Sequence, residues 1–159
     1  MRIVAGIALA LIASPALAQD WGTDFNMGTF AAGGGSAANG YLNLECADKS
    51  SGFESAGQPF IALTVMDGVA LDKKSLPGEI TFWVGDDQSY LLPMSIEAGG
   101  TTRLAYDYSA DTVEQARWLV EALREGSSVT AKADETILAT IELEGSDDAL
   151  ELVEECIAP

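Results

Sequence analysis

Chemistry in this chain has to come from carboxylates, two thiols and a few aromatic rings. Its 159 residues include 25 Asp and Glu, two Cys and no His. Without an imidazole there is no Ser-His-Asp or Cys-His catalysis and no histidine-ligated zinc, copper or iron. No Ser-x-x-Lys pair offers the alternative serine nucleophile. Two carboxylates about 5–10 Å apart can run glycoside hydrolysis, but with so many acids no particular pair is singled out, and no catalytic residue is assigned. Asp86-Asp87 and Asp147-Asp148 offer oxygens to calcium without the alternating spacing of a dedicated loop. The second pair is better read as helix capping. No metal and no cofactor is implied.

Four residues remain as binding candidates. Phe53 lies in the polar loop Ala47–Gly57 (ADKSSGFESAG), where an aromatic is either a recognition element or folds back on the core. Trp83 falls on the strand face opposite Phe82, and either lines a sugar site or packs under a helix. Lys73-Lys74 is a basic doublet in an acidic chain, most simply an exposed edge or loop charge.

The elements that must position these side chains are clearest from Ser109 to Cys156. Asp111 opens a helix, with Glu114 completing a capping box. Val113, Ala116, Leu119, Val120 and Leu123 form its apolar stripe, and Gly126 is expected as a left-handed C-terminal cap. Ser127–Glu144 switches to period two and reads as a hairpin, with Ile137, Ala139, Ile141 and Leu143 facing inward. Ser146 then caps a second helix in which Ala149, Val153 and Cys156 share one face.

Upstream, Tyr41 to Cys46 is a strand, Phe60–Met66 a strand buried on both faces, and Val69–Leu71 pairs back across an Asp67-Gly68 turn. Ile80–Val84, Tyr90–Ile96 and Arg103–Tyr108 continue the pattern. Pro93 favours an edge or a bulge. The Ala31–Asn39 run has the composition of a flexible linker, and its glycines lack the motif of a phosphate loop. The fold class is α+β: an antiparallel β-sheet or partly closed barrel or sandwich of seven to nine strands, with two helices, the second at the C-terminus.

Residues 1–18 read as a cleavable secretory signal, with Arg2 as the charged region, Ile3–Ile12 as the apolar core and a cut after Ala18. The apolar run is too short to span a bilayer. Residues 19–40 then form a flexible segment and 41–159 a single domain. In a periplasmic or secreted chain the two cysteines are expected to pair, Cys46 with Cys156, clamping the last helix to an N-terminal strand. A redox role would need a close spacing such as CxxC, which is absent. The formal charge of −17 repels nucleic acid and anionic lipid, so an electrostatic partner is a basic protein or a cation.

From Ile80 onward the layout resembles the invasion-associated locus B family of α-proteobacterial periplasmic proteins. The resemblance runs through the hairpin ITFWVGDDQSYLLPM, the helix end LVEALREGSSVTA and the closing TILATIELEGSDDALELV. It implies an exported β-rich domain tied to envelope integrity or host contact, with no catalytic residue to carry over. The expected function is therefore non-enzymatic binding of an envelope component. An inhibitor of a basic enzyme such as a lysozyme, suggested by the charge and the Ser50–Gly57 loop, is the alternative. A carboxylate-dependent glycosidase is the third.

Overall fold

A two-residue turn, Met27-Gly28, begins the fold. Both residues have positive φ, the geometry that matches the twist of a tight hairpin, and they join β1 (Gly22–Asn26) to β2 (Thr29–Ser36). A computed structural model describes residues 21–72, 76, 78–98, 100 and 102–159. The expected signal segment and Lys73-Lys74 lie outside the described residues.

The Gly/Ala/Ser-rich run is thus not the flexible segment expected over residues 19–40. It is a strand paired along its length with β3 (Gly40–Ala47). Its glycines make room for rings: a Cβ on Gly34 would meet the Trp21 indole at 2.6 Å, and one on Gly33 the Tyr41 hydroxyl at 2.6 Å.

β4 (Pro59–Thr64), β5 (Glu79–Val84), β6 (Gln88–Ile96), β7 (Arg103–Tyr106), α1 (Val113–Glu125), β8 (Ser128–Ala133), β9 (Thr136–Glu142) and α2 (Ser146–Ile157) follow. Among the described residues the nine strands form one antiparallel sheet in the order β1-β2-β3-β4-β7-β6-β5-β8-β9. The sheet curls without closing. The Thr140 N–H donates to the Asn39 carbonyl and the Met66 N–H to the Leu138 carbonyl, each at 2.8 Å, so β9 is tied to the β2–β3 turn and to the chain leaving β4. Inward faces of the strands and the apolar stripes of both helices make a single hydrophobic cluster. α1 lies against β6 and α2 against β2 and β3.

Several local expectations are corrected. Asp111 and Glu114 form no capping box: α1 starts after Thr112, whose hydroxyl is taken by Tyr106 and Ser109, each at 2.8 Å, while Glu114 pairs with Arg117. Gly126 is extended rather than left-handed, and is required because a Cβ would meet Val84 at 2.5 Å. Val69–Leu71 forms no strand. Pro93 is neither at a sheet edge nor in a bulge. It lies where β6 passes from β5 to β7, and its missing N–H would point past the end of β7.

β9 carries an irregularity opposite Ala131/Lys132, so Leu138 and Ala139 are both buried and Ile137 is turned outward. One extra residue flips the faces beyond it.

Ser146 is the first residue of α2, not its cap; Gly145, at φ 85°, takes that position. The fully buried Ser146 hydroxyl lies 2.6 Å from the Leu123 carbonyl and 2.7 Å from that of Leu143. Leu123 is in the last turn of α1, where carbonyls lack helical partners. The Leu143 carbonyl also accepts from the Ser146 N–H at 3.0 Å, so Ser146→Ala leaves only the Leu123 carbonyl without this donor and is expected to cost about 1–3 kcal/mol. In urea unfolding this reads as a lower midpoint at unchanged m-value.

Candidate functional site

The Cys46–Cys156 disulfide is formed, with Cα atoms 6.1 Å apart. It joins the end of β3 to the last turn of α2. Two cations hold the same end of α2: the Arg117 Nε–H donates to the Ile157 carbonyl at 2.7 Å and the Lys49 Nζ–H to that of Ala158 at 2.8 Å. Farther back, Arg124 bridges α1 to Asp147 and Glu154.

Immediately after the bonded cysteine, residues 48–58 leave β3 as an ordered loop. The Asp48 carboxylate accepts from the Ser50 N–H at 2.6 Å and the Ser50 hydroxyl at 2.5 Å. These bonds favour the ionised form and hold its carboxyl below the usual range. The Gly57 N–H donates back to the Ala47 carbonyl at 2.8 Å, and the Phe53 N–H to the Ser51 hydroxyl at 3.3 Å. Phe53, 48% exposed, is thereby held out from the core rather than folded into it.

Beside it runs an open groove of about 310 Å³, lined by Phe53, Phe60, Tyr106 and Tyr108 with Glu45 and Gln58, and with Cys46 in its wall. The Tyr106 and Tyr108 rings meet edge to face at 6.3 Å. The hydroxyl of Tyr106 is fixed by Thr112 at 2.8 Å. Such a surface offers ring faces to a planar or apolar group and a few polar atoms to orient it. The lining holds one carboxylate, Glu45, which accepts from the Asn43 side-chain amide at 2.6 Å. Two-carboxylate hydrolysis needs a second acid at this spot.

Trp83 does not join Phe53. It projects from the outer face of β5, 38% exposed, with Ser89 and Thr130 as cross-strand neighbours, while Phe82 is fully buried on the other face. Trp21 belongs to the core and donates its indole N–H to the Glu142 carbonyl at 3.0 Å. Of the two acid pairs considered for calcium, Asp147 is taken by Arg124. Among the described residues no group of three or more Cys, Asp or Glu is placed to hold a metal ion.

Sequence reasoning missed Phe60, Tyr106 and Tyr108. The antiparallel pairing of β4 with β7, Ala62 opposite Ala105, brings them beside the loop. The available signal was two tyrosines at alternate positions where a strand ends just before a helix.

A family model, YfjT, matches residues 19–150, and the chain belongs to that family. No link to the invasion-associated locus B family is shown by the comparison. No curated protein and no solved structure matches the chain.

Proposed function

We propose that this YfjT-family domain is an exported, non-enzymatic binding module whose ligand lies in the aromatic groove beside the 48–58 loop. The observation that carries this is the convergence of Phe53, Phe60, Tyr106 and Tyr108 on one groove whose loop is held by its own hydrogen bonds. Export to the periplasm or beyond is supported by the Arg2-led apolar segment and by a disulfide, which persists in oxidising compartments. An envelope-associated role is what the resemblance of the layout from Ile80 onward to the invasion-associated locus B family would imply. No helix among the described residues is long and apolar enough to cross a membrane.

The test is capture from a cell-envelope extract by the immobilised protein, washed through a salt series. The wild type is expected to retain a component at high salt, because ring-face contacts are not screened as charges are. Phe53→Ala and Tyr108→Ala should each lose at least about tenfold of that retention, the scale of a buried aromatic anchor. Equal retention by both variants overturns the assignment of the groove. A hydrolytic turnover by the purified protein, abolished by substitution of an acid pair, overturns the non-enzymatic reading.

A further inference from the structure

A second groove, remote from the disulfide end in its lining, has a different chemistry. It runs between α1 and β6, about 350 Å³ in volume, and is lined by Gln88, Tyr90, Trp118, Glu121, Ala122 and Glu125. On α1, Trp118 is followed by Glu121 and Ala122 three and four residues later and by Glu125 seven later. All therefore face one side of the helix. Ala122 is buried and small, which leaves depth between the indole and the strand. Trp118 is 49% exposed and lines the groove. Tyr90 donates its hydroxyl to the Gln88 side-chain oxygen at 3.1 Å. Burial, and then the charges of Glu121 and Glu125, push its phenol pKa upward, so both carboxylates project their field into the same space.

These two acids stand four residues apart on a helix, an arrangement that costs stability unless a cation relieves it. No described cation does so. Arg103 is paired with Glu97, Arg117 with Glu114, and Arg124 with Asp147 and Glu154; Lys49 is bonded to the Ala158 carbonyl, and Lys132 sits on β8 opposite Thr81 of β5, outside the groove lining. A half-exposed indole with two carboxylates in the same groove lining matches a guanidinium, which stacks on an aromatic while donating in a fork to carboxylate oxygens.

We propose that the α1–β6 groove is the docking site for a basic segment of a partner protein, with an arginine side chain lying on Trp118 between Glu121 and Glu125. The site is separate from the aromatic groove proposed above and does not depend on it.

The probe is an acetylated tri-arginine amide titrated into the purified protein, followed through the three tryptophan indole N–H signals by NMR and assigned with Trp118→Phe. The Trp118 signal is expected to move saturably while those of Trp21 and Trp83 stay in place. Glu121→Gln/Glu125→Gln should weaken binding by at least about tenfold, the loss of a charge-assisted pair. Glu151→Gln/Glu155→Gln removes the same charge from the exposed face of α2 and should change binding by less than about twofold. Phe53→Ala should leave it unchanged. Equal weakening by the two double variants would mean that net charge alone attracts the peptide, and the proposal fails. It fails also if all three indole signals move together, or if Phe53→Ala abolishes the interaction.

Discussion

Reduction of the Cys46–Cys156 bond, or Cys156→Ser, should lower the unfolding free energy by about 4–5 kcal/mol, because the bond closes a loop of 110 residues and removes that much freedom from the unfolded chain. In a domain of this size that corresponds to a fall in Tm of about 10–20 °C. Thermal unfolding with and without reductant checks it, and an unmoved midpoint would show the bond to be unimportant. The consequence is also local. Cys46 forms part of the aromatic groove's wall and Cys156 lies in the helix end held by Arg117 and Lys49. Reduction at a temperature where the protein stays folded is therefore expected to weaken ligand capture by that groove as well.

Gly40→Ala is expected to destabilise by roughly 2–5 kcal/mol, the sum of a non-glycine residue forced to positive φ and of overpacking. Gly40 has φ +89°, and a Cβ there would meet the Ala139 Cβ at 2.4 Å and the Thr64 carbonyl oxygen at 3.1 Å. It sits where the β2–β3 turn lies on β9, so the damage falls on the seam that keeps the sheet curled. Gly52→Ala is the control. Its φ is +77° but the space around it is open, so only the backbone cost of about 1–2 kcal/mol applies. Equal unfolding midpoints for the two variants would show that the seam carries no packing load.

The helices and the 128–142 hairpin were legible because their periodicities are strong and local. The disulfide was legible because the chain has two cysteines, each the other's one possible partner within it. What could not be read were features set by distant neighbours. Gly33 and Gly34 look like linker until Trp21 and Tyr41 are laid across them. Thr112 in place of Asp111 at the start of α1 depends on Tyr106, and the inward turn of Leu138 depends on one extra residue in a ladder.

The same limit applied to the site. Phe53 was visible as an aromatic in a small-residue loop, but Tyr106 and Tyr108 become its neighbours only through the β4–β7 pairing. Trp83 shared the chemistry of a binding residue and lies on another face. The α1 groove was hidden by its own regularity: Trp118, Glu121 and Glu125 lie outside the helix's apolar stripe, and only the packing of β6 beside α1 brings Tyr90 to them.

The strand order has a kinetic consequence. Six of the eight neighbouring pairs join strands consecutive in the chain, and only β4–β7 and β5–β8 do not. The chain can therefore assemble β1–β4, β5–β7 and β8–β9 as separate meanders, each at small loop-closure cost. The slow event is the meeting of these three units along two seams. Until then each unit presents an unpaired inner edge, and the barrier to folding is set by residues such as Leu63 and Leu104, opposite one another on β4 and β7, rather than by the hairpin turns.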